Sequence, residues 1–160
     1  ILQKPGNLTK SEFDIIKKHP GIAAQVVGKC HSLQHLVPVI RHHHEKFDGT
    51  GYPDGLQGEE IPIESRVISM VDVVEAMSSD RPYRIALDPK RIIEEVKQMS
   101  GAYLDPQVVD VFLKVAEKEG HLFFNNSASN VCEKINGNND KAYHWIPRPI
   151  NQPVQAGGTK

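Results

Sequence analysis

The chain has 160 residues, with 19 Lys and Arg against 20 Asp and Glu, 39% hydrophobic residues and 24% charged ones. A formal net charge of −1 argues against a polybasic binder of nucleic acid polymers, and no apolar run approaches the roughly 20 residues of a membrane span. Cys30 and Cys132 lie too far apart for a CxxC redox or zinc site, and residues 1–10 carry no export signal, so reduced thiols in the cytoplasm are expected.

The length suits one domain. Thr9 followed by Glu12 forms a capping box and predicts a helix over 10–18, with Phe13, Ile15 and Ile16 on its apolar side. A second helix is expected over about 22–30, burying Ile22, Val26 and Val27. A third is expected over 37–45, with Pro38 accommodated in its first turn. Residues 46–63 hold glycines at 49, 51, 55 and 58 and prolines at 53 and 62, and read as non-helical. Residues 64–79 read as the longest and most apolar helix. Asp88-Pro89 and Asp105-Pro106 each place a capping carboxylate before a proline that can open a helix. The first of these helices has a buried stripe of Ile92, Ile93, Val96 and Met99 and ends at Gly101. The second runs to about residue 119, with Val109, Phe112, Leu113 and Ala116 inward. No segment reads as a strand, so the expected class is all-α. From 120 to 160, Asn, Gly and Pro replace the helical period, and a mobile polar tail is expected. Within it, Phe123, Phe124, Ile135, Trp145 and Ile146 are apolar residues able to dock on the core.

Four stretches carry chemistry. In Arg41-His42-His43-His44-Glu45, successive helix positions lie about 100° apart, so two imidazoles reach one cleft and the third points elsewhere. Neutral imidazole is a common metal ligand; the alternative is a solvated helix end where histidine complements the dipole. Asp72 sits in an almost apolar helix, a costly place for a carboxylate without an ion pair, to Arg66 or Lys97 for example, or a metal. His19, before Pro20-Gly21, is a third candidate ligand or a dipole partner at a helix end. The long stretch around Asp48-Gly49-Thr50-Gly51-Tyr52-Pro53 exceeds ordinary connection lengths, which favours a functional loop over a plain connection. Arg81-Pro82-Tyr83-Arg84 offers two guanidinium forks for phosphate and an aromatic face for a base, or else a solvated turn.

Taken together and in order, these stretches resemble the HD-GYP family, bacterial cyclic di-GMP phosphodiesterases of the HD hydrolase superfamily. The resemblance runs from Ile1 to about Val115: Pro5-Gly6, Leu8-Thr9 and Glu12, His19-Pro20, His43-His44-Glu45, Asp48-Gly49-Thr50-Gly51-Tyr52-Pro53, Gly58, Ile61-Pro62, Arg66, Asp72 and Arg81-Pro82-Tyr83-Arg84. It implies an all-α helical bundle of the HD-domain type over residues 1–119, followed by the tail. It implies divalent metal ions, iron or manganese, held by His19, His43, His44 and Asp72. It assigns substrate contacts to Arg81, Arg84, Gly51, Tyr52 and Pro53. The nucleophile would be a metal-bridging water, and the product linear pGpG, cut further to GMP. Expected partners are cyclic di-GMP, an upstream regulatory or receiver domain, and a diguanylate cyclase.

One departure from the family stands out. No His-Asp dipeptide occurs in the 160 residues, nor the Lys that follows it in the family. The expectation is a bundle truncated at its N-terminal side, with about half a metal shell, exposed apolar surface and no activity as an isolated chain. Two other readings stand beside it: a non-catalytic module that contacts a signalling partner, and a hydrolase acting on another nucleotide such as cyclic GMP-AMP.

Overall fold

A computed structural model describes residues 1, 4, 8–80 and 85–124, the last five as backbone only. The predicted capping box forms: Thr9 Oγ1 accepts from Glu12 N, the Glu12 carboxylate accepts from Thr9 N, and α1 runs over Lys10–Ile16. After two residues α2 begins, His19–Gly28. It starts three residues before the expected position because Pro20 fits a first turn, where no N–H is needed. Its buried side also differs from expectation. Ile22 and Val26 are 58% and 68% exposed, while Pro20 and Ala24 are buried. The cause is close approach of small residues to the segment that follows. A Cβ on Gly28 would stand 3.5 Å from Val37 Cγ2, and one on Gly21 3.7 Å from Arg41 Nη1.

A 3-10 stretch, His31–Leu36, leads into α3, Val37–Arg41. This helix stops four residues short of the expected end. His42 leaves helical geometry at φ −108°, ψ 12°, so the histidine triplet forms a turn after the helix rather than its last turn. Between it and α4, Ile63–Ser78, the described chain has one 3-10 turn, Gly58–Glu60. The inner side of α4 comprises Ser65, Ser69, Met70, Val73, Val74 and Met77. Ser65 Oγ donates to Val39 O at 3.0 Å and ties α4 to α3. On its outer side Ile63, Val67, Ile68 and Val71 are exposed.

Asp88 caps α5, Pro89–Met99, by accepting from Lys90 N and Arg91 N. Ile92 and Val96 are fully buried, and Ile93 and Met99 partly so. Gly101 follows with φ +83°, a left-handed exit that a residue with a Cβ resists. Asp105 Oδ1 accepts from Gln107 N at 2.7 Å and opens α6, Pro106–Phe124. At 19 residues against 16, α6 rather than α4 is the longest helix, and it kinks at Glu119 before continuing to Phe124. Residues 125–160 of the expected tail lie outside the described residues.

The core joins Met70, Val73, Val74 and Met77 of α4 to Ile92 and Val96 of α5, Leu104, and Val109 of α6. Full burial of each such aliphatic side chain contributes about 1.5–3 kcal/mol. Among the described residues there is no strand, only one isolated bridge between Ser100 and Leu104, and the class is all-α. Above this core, the start of α2, the turn after α3 and the outer edge of α4 meet.

Candidate metal centre

His19 opens α2, so it is not the C-terminal dipole partner that its position before Pro20 suggested. Its Nδ1 donates to Ile16 O at 2.8 Å, and His43 Nδ1 donates to Ile40 O at 2.6 Å. A carbonyl oxygen only accepts, so both rings carry a proton on Nδ1, and in the neutral ring this leaves Nε2 bare. Those two Nε2 atoms face each other at 3.4 Å. His44 Nε2 stands 3.2 Å from His19 Nε2. Facing lone pairs repel unless a proton or a metal cation lies between them. Imidazole nitrogens bound to one divalent ion at about 2.0–2.1 Å stand roughly 3.0–3.4 Å apart. The observed spacings match, and the backbone bonds at Nδ1 are those that orient metal-ligating histidines. His44, desolvated by burial and flanked by His43 and His19, has its pKa pushed down to about 3, which keeps it in the neutral, ligating form.

Asp72 lines an open cavity on α4 with His43, His44, Ser69, Val73, Ala76 and Tyr103. The ion pairs considered for it do not form among the described residues. Arg66 instead bonds Asp105 Oδ2 at 2.6 Å. Burial pushes the Asp72 carboxyl up from its ordinary value, while His43 and His19 pull it back. The three imidazoles form one tight group, with ligand atoms within 4.8 Å of one another, and His42, Glu45 and Asp54 form a second; Asp72 belongs to neither and lines the cavity beside His43 and His44.

The loop after the histidines closes over them. The Tyr52 ring lies tilted by 35° against His44 with centroids 5.1 Å apart, and Tyr52 N donates to His44 O at 3.2 Å. The Tyr52–Pro53 bond is cis. A Cβ on Gly51 would collide with Lys46 N and Glu45 Cα, so only glycine permits this approach. Phe13 of α1 meets Tyr52 edge-on, and Lys17 lies 5.8 Å from the Tyr52 centroid. His42, the third of the triplet, points elsewhere, its Nδ1 3.6 Å from Glu45 Oε1 and 3.6 Å from Asp54 Oδ2. Arg41 grips Asp54 with two bonds of 2.7 Å.

Of the expected site residues, His19, His43, His44, Asp72, Gly51, Tyr52 and Pro53 therefore gather at one place, and Arg81 and Arg84 lie outside the described residues. Glu45 figures in the sequence only as part of His43-His44-Glu45, with no role assigned to it, and Asp54 and Tyr103 are not candidates there. Tyr103 follows α5 and reaches the cavity because its carbonyl accepts from Phe47 N at 3.2 Å while Ala102 O accepts from Asp48 N at 2.9 Å. No local pattern announces a pairing between segments so far apart.

Comparison with known proteins agrees with this geometry. Residues 1–108 match the HD domain family. The chain is 41% identical over 125 residues to a cyclic di-GMP phosphodiesterase of Vibrio cholerae, covering 74% of this chain and 25% of that protein. It is 40% identical over 121 residues to a cyclic di-GMP phosphodiesterase of Thermotoga maritima, covering 74% of this chain and 33% of that one. A 3'3'-cGAMP-specific phosphodiesterase of V. cholerae is 35% identical over 118 residues, covering 71% of this chain and 22% of that protein. The crystal structure of a cyclic GMP-AMP specific phosphodiesterase of V. cholerae shares the fold, with a TM-score of 0.59 at 21% identity over 72% of this chain and 27% of that one. The chain thus spans a third or less of the length of these relatives.

Proposed function

The chain belongs to the HD domain family, and from that premise we propose that the full-length protein is a metal-dependent phosphodiesterase that opens cyclic di-GMP to linear pGpG and then cuts it to GMP. The observation that carries this reading is the meeting of the bare Nε2 atoms of His19 and His43, 3.4 Å apart, with His44 Nε2 beside them. His19, His43 and His44 would hold one ion, and Asp72, which lines the cavity beside His43 and His44, would supply a carboxylate for a neighbouring one. Iron and manganese suit mixed imidazole and carboxylate sites of this kind. When bound, divalent ions lower the pKa of a coordinated water and neutralise charge on a phosphodiester.

The residues of this chain bind and orient. The Gly51-Tyr52-Pro53 loop offers close backbone approach and an aromatic face for a base, while Arg81 and Arg84 provide guanidinium forks for phosphate or guanine. The test is to load the full-length protein with Fe(II) or Mn(II), confirm metal content, and follow cyclic di-GMP, cyclic GMP-AMP, pGpG and GMP by chromatography. Cleavage of cyclic di-GMP is expected. A metal-loaded protein that cleaves no cyclic dinucleotide would overturn the reading and favour a non-catalytic signalling module. Selective cleavage of cyclic GMP-AMP would establish the second substrate reading, which the names of several relatives favour.

A further inference from the structure

Backbone carbonyls hold two of the three imidazoles in orientation: Ile16 O for His19 and Ile40 O for His43. The third has no such bond; among the described residues no hydrogen bond reaches His44 Nδ1. The His44 ring is flanked by His43 and His19, with centroids 4.1 and 4.9 Å away, and from outside the histidine group by Tyr52, tilted against it at 5.1 Å, whose N–H also bonds the His44 carbonyl. The orientation of His44 therefore depends on where the Tyr52 loop sits.

Glu45 fixes that loop. Its side chain is fully buried. Oε1 accepts from Asp54 N at 2.8 Å and Gly55 N at 3.1 Å, and Oε2 accepts from Gly55 N at 3.1 Å. A buried carboxylate is costly unless its lone pairs are filled, and no Lys or Arg lies within ion-pair distance of it among the described residues; backbone N–H groups of the loop do most of the filling. The bonds fall immediately after Pro53, so they anchor the far end of the Gly51-Tyr52-Pro53 turn to the residue next to His44. Gly51 anchors the near end by lying directly on the Glu45–Lys46 backbone. An outer grip, Arg41 on Asp54, is largely exposed and leaves the inner one to Glu45.

We propose that Glu45 is the positioning residue of the third imidazole: through the Tyr52 loop it does for His44 what the Ile16 and Ile40 carbonyls do for His19 and His43. The proposal rests on the reading of the three histidines as metal ligands, and its test separates the two. Glu45→Gln keeps the shape of the side chain but turns an N–H donor toward loop N–H groups. In the metal-free full-length protein, amide hydrogen exchange of residues 52–57 should quicken at least about tenfold while the α4 and α5 core stays protected. In the cobalt-loaded protein, the visible absorption of the histidine site should change. Gly51→Ala, which lifts the loop from the opposite end without touching the carboxylate, should shift the same absorption. Faster loop exchange with an unchanged cobalt spectrum in both variants would overturn the proposal. If Glu45→Gln does not fold, Gly51→Ala decides alone by the same spectrum. Absence of cobalt binding by the unsubstituted protein would instead sink the ligand reading on which it rests.

Discussion

At the scale of single residues, identity and environment divide the work unevenly. His19 and His43 acquire a ligating tautomer from one backbone carbonyl each, so their chemistry is set by local chain geometry. His44→Ala or Asp72→Ala in the full-length protein should therefore lower bound iron or manganese per chain, measured by elemental analysis, with the core intact by circular dichroism. Unchanged metal content in both would return the histidines to a plain polar cluster. The other consequential pair is structural. Asp105 is almost fully buried and bonds Arg66 Nη1 at 2.6 Å while also capping α6 through Gln107 N. Breaking a buried ion pair from one side costs about 3–5 kcal/mol, because the remaining charge stays desolvated. Loss of the cap adds to it, and Arg66 Nε already lacks a partner. Asp105→Ala should therefore destabilise the chain by about that amount in urea titration, and a loss under about 1 kcal/mol would show the pair to be solvent-screened after all.

Among the elements, α1 offers a titration with a definite sign. The Lys4 ammonium bonded to Glu12, then the Thr9 backbone and hydroxyl, hold its carboxyl well below the ordinary 4.5, at about 2. A carboxylate stabilised in the folded state contributes above its unfolded pKa, and that contribution disappears as pH falls from about 4.5 toward 2. The difference in thermal midpoint between the native chain and Glu12→Gln should thus be largest near neutrality and vanish toward pH 2; a difference constant with pH would refute the linkage. This capping box was legible in the sequence because all its parts lie within four residues, and the same holds for Asp88-Pro89 and Asp105-Pro106. What was not legible depends on packing between elements. The apolar Ile22 and Val26 suggested a buried face, yet Pro20 and Ala24 are the buried residues, because small side chains let α2 approach Val37 and Arg41. The histidine triplet reads as helix until its fold shows it as a turn; the expectation that two rings share a cleft survives, with His42 diverted to Glu45 and Asp54. Arg66 looked like a partner for Asp72 six positions on, but its carboxylate comes from 39 residues away. The candidate ligands stand out in the sequence, and Glu45 beside them as part of His43-His44-Glu45; its bonds to the N–H groups of Asp54 and Gly55 do not, since backbone donors carry no side-chain pattern.

For the molecule as a whole, charge decides what these residues achieve together. Three neutral imidazoles and Asp72 bring one negative charge to the described site, against four positive charges on two divalent ions. Metal-bridged hydrolysis of a phosphodiester needs both ions held about 3.5–4 Å apart on one phosphate. The histidine group can hold one ion at the observed spacings, but Asp72 stands apart from that group and no second carboxylate joins them among the described residues. The outer sides of α2 and α4, with Ile22 and Val26 on one and Val67 and Val71 on the other, are also left exposed. The 160 residues alone are therefore expected to bind close to one metal ion per chain rather than two, and to bind cyclic di-GMP through the Tyr52 loop without appreciable turnover. The measurement is anaerobic loading with Fe(II) or Mn(II), elemental analysis, calorimetric titration with cyclic di-GMP, and chromatography of pGpG and GMP over time. Turnover within the usual enzyme range of about 1–10³ per second, with two ions bound, would show that residues of this chain outside the described site complete the metal shell.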